Sequence, residues 1–416
     1  MNLTLFFGLL GGLLVLAFVA NLLARRTGIP DVLVLMATGV LLGPLLHLLD
    51  PSKFVGVTRG FGTLALILIL FEAGLELDLG QVLRHFPAGF LLALVSYALS
   101  MALVAAAAHF TMGLPLSSAL IVAAVLGGVS ASVSLPVLQN LKLRANLRTL
   151  LVVEGAMADI LSVLVVSALL NAHAGSVRLA AFLGGFAAEF AISLALGLLA
   201  GIGWSFLLPR LSDQRFWQVL TFGAVLVLYT TTAVASGGAL LAVLVFGLTL
   251  TNLPVARRRL AIADPGPEAA PLPPRTELLA FHAELSFLVR TFFFVLIGVM
   301  VKFSGFWREW LPVLTIFVAI LLARWLSVLA VRLIWRKSYA QERELAFWMH
   351  PRGLITIVLA LEAVSAGGPS WQFLERLAFA VLVLTSLGMT VGTLRGKRLG
   401  KLLEEGPAVT NEAGPA

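Results

Sequence analysis

Two carboxylates lie within a stretch that is otherwise largely apolar and long enough to cross a bilayer. Glu154 and Asp159 stand in residues 149–171, among mostly aliphatic side chains. A carboxylate near the middle of a membrane costs about 2.5–3.5 kcal/mol on insertion scales, and such groups commonly mark ion pathways and proton relays. The two carboxylates therefore favour membrane transport as the chemistry of this chain.

Asp159 has the properties that an exchanging site requires. Removal from water favours the protonated form of a carboxylate, whereas the ionised form is a hard oxygen ligand for a small cation such as sodium. A site that holds either a proton or a cation is the minimum requirement of an antiporter. On a helix, Ser162 shares the face of Asp159, and Glu154 is displaced around the helix. The alternative is an Asp159 satisfied by a buried basic partner, with a structural role only.

Arg324 lies in the middle of a second apolar stretch and must have a counter-charge there, because its guanidinium group does not deprotonate. We expect Glu154 to be that partner, either as a structural brace or as a member of the ion site. Arg290, in a further stretch, is expected to pair with Glu284 or with loops.

Two apolar stretches contain residues that interrupt a helix. The segment GGVSASVSLP (127–136) combines two glycines, three serines and a proline, and HPRG (350–353) combines a proline and a glycine. Such breaks in two halves of a chain indicate discontinuous helices that cross at the midplane, as in inverted-repeat transporters. Ser130 and Ser132 offer oxygen ligands at the first break, and Arg352 is expected to cap freed carbonyls at the second. The competing interpretations are a simple proline kink, serines that bond to their own backbone, and an Arg352 that only lines the cytoplasmic mouth.

Composition defines the class of protein. The chain has 416 residues, of which 60% are hydrophobic and 12% charged, as in a polytopic membrane protein. It has no cysteine, which excludes disulfides, thiolate metal sites and a catalytic Cys. The net charge of +8 comes from basic residues at helix ends and in short loops, so nucleic acid is not an expected partner. Arg25 and Arg26 follow the first apolar run, and this order predicts a retained span rather than a cleaved signal.

Apolar stretches near the ~20 residues that a bilayer requires predict thirteen transmembrane helices. They lie at about 3–23, 30–48, 60–77, 87–110, 116–138, 149–171, 178–208, 216–235, 237–252, 279–301, 309–335, 345–366 and 374–394. The Lys and Arg residues concentrate on one side, which predicts an outside N-terminus and a cytoplasmic C-terminus. Residues 253–277, rich in Pro and Arg, are expected to form a cytoplasmic linker, and residues 402–416 a disordered cytoplasmic tail.

Six segments, taken in order, resemble the monovalent cation/proton antiporter superfamily. They are LFEAGLELDL (70–79), VSASVSLPVL (129–138), EGAMADILSVL (154–164), RTFFFVLIGV (290–299), LLARWLSV (321–328) and HPRGLIT (350–356). The first and fourth resemble the NapA/Kef-like branch, and the Glu-x4-Asp spacing of Glu154 and Asp159 resembles the NhaP branch.

The resemblance implies an all-α membrane fold of about thirteen helices, with inverted repeats and two discontinuous crossing helices, and a homodimer. It implies a scaffold at 1–78 and 216–303, a mobile core at 86–171 and 309–398, and a linking helix at 178–208. It also implies an ion-binding role for Asp159 and a charge pair between Glu154 and Arg324.

Two positions depart from the family pattern. Ala158 precedes Asp159 where family members carry Asp or Asn, and Ser130 and Ser132 occupy a crossing where NhaP-like members place Thr-Asp. With one carrier carboxylate, an electroneutral one-for-one exchange is the simpler hypothesis, although Glu154 would add a second titrating group if it took part.

The sequence therefore predicts a secondary sodium (or lithium)/proton antiporter of a cytoplasmic membrane, not an enzyme. It would work by sliding of the core against the scaffold. No cofactor is expected, and the partners are monovalent cations, protons, membrane lipids and a second copy of the chain. The alternatives are a potassium/proton antiporter and a sodium-coupled solute symporter on the same fold. The expected ion ligands are Asp159, Glu154, Ser130, Ser132 and Ser162.

Overall fold

The computed structural model describes residues 3–27, 29–51, 54–130, 133–134, 137, 145–173, 179–211, 213–235, 238–259, 275–301, 306–334 and 343–404. The α-helices in these ranges are α1 (Leu3–Thr27), α2 (Asp31–Val40), α3 (Val55–Glu76), α4 (Leu79–Met112), α5 (Leu116–Gly127), α6 (Ala145–His173), α7 (Leu179–Leu211), α8 (Trp217–Val234), α9 (Ala239–Arg259), α10 (Arg275–Met300), α11 (Phe306–Ile334), α12 (Arg343–Trp348), α13 (Leu354–Gly367) and α14 (Phe373–Glu404). A π-helical segment, Leu41–Leu45, continues α2, and a 3-10 turn, Gly368–Trp371, leads into α14.

The helices follow from the apolar composition, because a chain in lipid must satisfy its backbone groups internally. Eight described helices are long and apolar enough to cross a membrane, and four shorter apolar helices include α5 and α13. The expected all-α polytopic architecture is confirmed, and the count of thirteen spans stays a prediction.

The described helices pack in two groups. In the first, α10 packs on α2 and α3, and α9 packs on α3, α7 and α8. In the second, α4 packs on α5, α6 and α11, while α14 packs on α11, α12 and α13. The division of the chain into a scaffold and a mobile core stays a prediction. The seventh helix, α7, packs most extensively on α9 and so lies against the first group.

Glycine pairs allow the backbones of the first group to approach closely, as small residues do in membrane helices. Gly39 of α2 faces Gly298 of α10, and Gly74 of α3 faces Gly247 of α9. A Cβ atom at Gly74 would lie 2.4 Å from the carbonyl oxygen of Leu244, so a larger residue would displace backbone rather than a side chain.

A buried ion pair also joins α2 to α10. The Nη2 atom of Arg290 lies 2.8 Å from Oδ2 of Asp31, so the expected pairing with Glu284 is wrong. The reason is helical geometry, since Glu284 precedes Arg290 by six residues and cannot share its face of α10. Asp31, at the first residue of α2, lies opposite that face instead.

Both ends of the expected linker, and the start of the expected tail, are helical. Helix α9 continues to Arg259 and α10 begins at Arg275, so the expected linker at 253–277 is helical at both ends. Helix α14 continues to Glu404, and residues 260–274 and 405–416 lie outside the described residues.

We expect Gly74→Ala to destabilise the protein by about 1–3 kcal/mol, the usual cost of overpacking. Gly60→Ala in the same helix is the matched control, because a Cβ there meets nothing within 4 Å. Gly60→Ala should be neutral or stabilising, since Ala is the better helix former. Thermal unfolding of the two purified variants tests this, and equal midpoints would contradict the close approach of α3 to α9.

Candidate ion-binding site

Two interrupted helices meet in the second group. Helix α5 ends at Gly127 and the backbone of Gly128 is extended, while α12 ends at Trp348 and α13 begins only at Leu354. The backbone N–H of Ser130 donates to the carbonyl oxygen of Pro351 at 3.0 Å. Because buried backbone groups require partners, the two breaks satisfy each other where their own helical bonds stop. The two discontinuous helices thus cross at Ser130 and Pro351.

Asp159 lies beside this crossing, near the midpoint of α6, and its side chain is 1% exposed. The hydroxyl of Ser130 is a hydrogen-bond partner of its carboxylate. The Oδ1 atom of the same carboxylate is buried and has no hydrogen-bond partner among the described residues. Among the described residues, no Lys or Arg forms a salt bridge with Asp159. The structural alternative, an Asp159 held by a basic partner, therefore has no support in this part of the chain.

Ser162 lies between the first break and α4. Its hydroxyl donates to the carbonyl of Ala158 at 2.8 Å. A Cβ at Gly128 would lie only 2.2 Å from Oγ of Ser162, so the break presses directly on α6 at this point. Ser162 is thus already engaged in holding α6 against the break. Ser132, the remaining serine expected as a ligand, lies outside the described residues.

Glu154 and Arg324 form a fully buried, bidentate ion pair. Nη1 of Arg324 contacts Oε1 of Glu154, and Nη2 lies 3.1 Å from Oε2. The same guanidinium group donates to the carbonyl of Ala346 from Nε at 2.9 Å and from Nη2 at 2.6 Å, and to that of Met349 at 3.2 Å. Arg324 therefore neutralises Glu154 and also caps the end of α12, whose last carbonyls have no helical partner.

Arg352 stands at the second break but does not cap it as expected. Its backbone N–H donates to Oγ1 of Thr385 at 3.0 Å, and its Nη2 makes a long bond of 3.4 Å to Oγ of Ser100 on α4. Its Nε and Nη1 atoms are buried and have no partner in the part of the chain that the structure describes. The capping role belongs to Arg324, because Arg324 reaches the end of α12 from the neighbouring helix α11, whereas Arg352 points towards α4.

Tyr97 was not singled out by sequence reasoning, although it belongs to the site. It is buried on α4, donates to the carbonyl of Ala124 at 3.1 Å, and packs against Gly127 at the end of α5. The available signal was a lone tyrosine in an apolar span, one of only three in the chain. Buried Tyr hydroxyls usually have a hydrogen-bond partner, and this one holds the broken end of α5.

The site combines several groups that can bind a cation. A carboxylate, the Ser130 hydroxyl and backbone carbonyls at a helix break are the groups that replace the hydration shell of an alkali cation. Helix α5 also directs its C-terminal end, which carries a partial negative charge, towards the crossing. Further polar atoms without partners in the described part surround the second break, namely Nε2 of His350, Oγ1 of Thr356 and Oγ of Ser386. The arrangement is suited to a small cation or a proton held at Asp159.

Comparisons with known proteins agree with this geometry. The model of the sodium/hydrogen exchanger family, transmembrane region, matches residues 13–395. The K(+)/H(+) antiporter NhaP2 of Shewanella oneidensis is 24% identical over 408 residues, which cover 95% of this chain and 67% of the relative. The Na(+)/H(+) antiporter ApNhaP of Aphanothece halophytica is 25% identical over 337 residues, which cover 78% of this chain and 62% of the relative.

A solved structure shares the fold. The sodium proton antiporter MjNhaP1 from Methanocaldococcus jannaschii superposes with a TM-score of 0.74 at 19% identity, over 97% of this chain and 99% of the other. A second structure of the same protein gives a TM-score of 0.77 over the whole of both chains. These neighbours belong to the branch that the Glu-x4-Asp spacing indicated.

We expect Glu154→Ala and Arg324→Ala each to lower the free energy of unfolding by about 3–5 kcal/mol, since each strands a buried charge. The loss of unfolding free energy in the double variant should be smaller than the sum of the two single losses, with a coupling of about 0.5–3 kcal/mol. Arg324→Lys should fail to restore full stability, because an ammonium group lacks the planar fork that reaches both the carboxylate and the carbonyls. Unfolding in mixed micelles measures all four variants.

The matched control is the exposed pair of Glu344 and Arg395, which lie 3.3 Å apart between α12 and α14. The same cycle on that pair should give a coupling near zero, as exposed pairs do. Strict additivity at Glu154 and Arg324 would show that the two are not energetic partners.

Proposed function

This chain belongs to the sodium/hydrogen exchanger family and is a multi-pass cation/proton antiporter, and we propose that it exchanges sodium (or lithium) for protons at Asp159. The observation that carries the proposal is the unpartnered Oδ1 of a fully buried carboxylate at the crossing of two helix breaks. A buried carboxylate oxygen without a donor is costly in one protonation state. A bound cation or a proton removes that cost, and the two compete for the same oxygen.

The proposed exchange is electroneutral, one cation for one proton. Glu154 is bound by both terminal nitrogens of Arg324, Nη1 and Nη2, and so is not available as a second carrier of protons or cations. The neighbour of Asp159 is Ala158, which cannot titrate. One exchanging carboxylate then binds one monovalent cation or one proton, and the net charge of the loaded site is the same in both cases.

Potassium is the second candidate cation, because the NhaP2 relative is a K(+)/H(+) antiporter while ApNhaP is a Na(+)/H(+) antiporter. We favour sodium because few oxygen atoms of the described residues accompany the Asp159 carboxylate, and a smaller cation needs fewer ligands. The sodium-coupled symporter that the sequence left open is not the activity of this family.

Alternating access is proposed to arise from movement of the second helix group, the core, against the first, the scaffold. The Asp159 site lies wholly within the core helices, so it would travel with them. A direct link between the groups is the ion pair of Glu76 on α3 and Arg148 on α6, at 2.6 Å and partly exposed. Movement of the core would have to break this pair.

We further propose a homodimer in the cytoplasmic membrane with its N-terminus outside.

Asp159→Asn should fold normally and lose all exchange, because an amide neither releases a proton nor carries the charge that binds a cation. The measurement is the internal pH of proteoliposomes after parallel sodium, lithium and potassium jumps. The wild type should move protons in response to sodium and lithium, at a rate that an imposed membrane potential does not alter.

Asp213→Asn is the matched control, since Asp213 is an exposed residue between α7 and α8. It should exchange like the wild type. Thermal unfolding should place Asp159→Asn at or above the wild type, because the substitution removes a buried charge. Retained exchange in Asp159→Asn would remove Asp159 from the carrier role, and a wild type that responds to potassium alone would make the protein a potassium/proton antiporter.

The movement of the core is testable by cross-linking, because the chain has no native cysteine. A Glu76→Cys/Arg148→Cys double variant, linked by a short bifunctional thiol reagent, should lose exchange and recover it on reduction. The control pair is Glu344→Cys/Arg395→Cys, which links two core helices and should leave exchange intact. Full exchange in the linked Glu76/Arg148 variant would argue against movement between the groups at this point.

A further inference from the structure

An apolar crevice lies on the boundary between the two helix groups, away from Asp159. It has a volume of about 400 Å³ and is enclosed by α10 on one side and by α11, α13 and α14 on the other. Its size falls in the range of about 300–1,000 Å³ that is typical of small-molecule sites. Its walls include Ile297, Ala360, Phe379 and Ala380, and the polar contribution to its lining is minor.

The crevice opens onto a surface of the protein that faces lipid. Two of its lining residues, Trp310 and Leu314, are 56% and 47% exposed, and both lie on the transmembrane helix α11. They begin an exposed apolar stripe that continues along α11 through Val318, Leu322 and Trp325. A stripe of this length within a membrane span is covered by acyl chains, so the material at the mouth of the crevice is lipid.

A charged pair stands at one end of the crevice. Arg376 of α14 lines it and donates to Glu309 of α11, with Nε at 3.1 Å from Oε1 and 3.0 Å from Oε2. The adjacent Glu375 also lines the crevice. The described charges here are therefore one guanidinium group and two carboxylates. Such a rim is complementary to a headgroup that carries both signs, and its two carboxylates repel a headgroup that is only anionic.

We propose that this crevice binds one zwitterionic phospholipid. One acyl chain enters between α10 and α14, and the headgroup lies over the rim. Its phosphate faces Arg376, and its ammonium group faces Glu309 and Glu375. Phosphatidylethanolamine fits this arrangement, because its small ammonium group donates hydrogen bonds to carboxylates. The site is distinct from the ion site, and lipid binding is measured without transport, so a failure here leaves the exchange proposal untouched.

The test is native mass spectrometry of the purified protein titrated with phosphatidylethanolamine and with phosphatidylglycerol of identical acyl chains. The wild type should retain phosphatidylethanolamine preferentially. Leu314→Trp, which fills the mouth, should weaken that binding by about tenfold, the loss expected when about two methylene groups leave the crevice. Val318→Trp, one turn along the same exposed stripe and outside the crevice, is the matched control and should bind like the wild type.

The headgroup assignment has its own variant. Glu309→Gln/Arg376→Gln removes both charges without changing the net charge, and should abolish the preference for phosphatidylethanolamine over phosphatidylglycerol. Equal binding of the two lipids by the wild type would overturn the headgroup assignment. Equal binding by Leu314→Trp and Val318→Trp would show that the lipid belongs to the general lipid layer.

A measurement on the wild type keeps the proposal testable if a variant fails to fold. Phosphatidylethanolamine with a photoreactive group at the end of one acyl chain should label peptides of α10 and α14 that contain Ile297 and Leu384. Labels spread evenly along the stripe of α11 would contradict entry of the chain into the crevice.

Discussion

Arg324 carries a full positive charge at a depth where the bilayer offers no water, and much of the second helix group depends on how that charge is satisfied. Its guanidinium group binds both carboxylate oxygens of Glu154 on α6 and the carbonyl oxygens of Ala346 and Met349 at the end of α12. One side chain thereby joins three helices. A broken helix leaves its last carbonyls without partners, and in lipid those carbonyls would cost several kcal/mol each. Arg324 removes that cost and so allows α12 to stop in the middle of the membrane, which is the condition for the crossing beside Asp159.

The second condition is that the two breaks support each other. The bond from Ser130 to Pro351 fixes the crossing, while Tyr97 and Ser162 hold the α5 side against α4 and α6. Each of these contacts lies within the second group. The first group is held by different means, close glycine contacts and the buried pair of Asp31 and Arg290. The two groups thus have separate sources of rigidity, and this is what a sliding movement between them would require.

The sequence alone predicted those features that depend on a residue type unusual in an apolar span. Charged side chains at depth identified Asp159, Glu154 and Arg324, and Gly and Pro located both breaks. The arrangement of helices into two groups came from family resemblance, not from periodicity. The features that the sequence did not predict depend on which residues the fold brings together. Backbone carbonyls have no sequence signature, so the capping of α12 by Arg324 was assigned to Arg352 instead. Glu284 is six residues from Arg290 in sequence, but it lies on another face of α10. Asp31 of α2 is therefore the partner of Arg290.

The state of the Asp159 carboxylate explains why the proposed exchange would be obligatory. Because the Glu154 and Arg324 charges cancel, they add nothing to the cost of moving the core. Asp159 is neutral when protonated and neutral again when a monovalent cation replaces the proton. Only in the empty, ionised form is the buried Oδ1 of Asp159 a charged atom without a donor among the described residues, and a carboxylate in that form is costly to move through the membrane interior. In the proposed exchange the core therefore crosses only when Asp159 is loaded, and this restriction alone ties the movement of one cation to that of one proton.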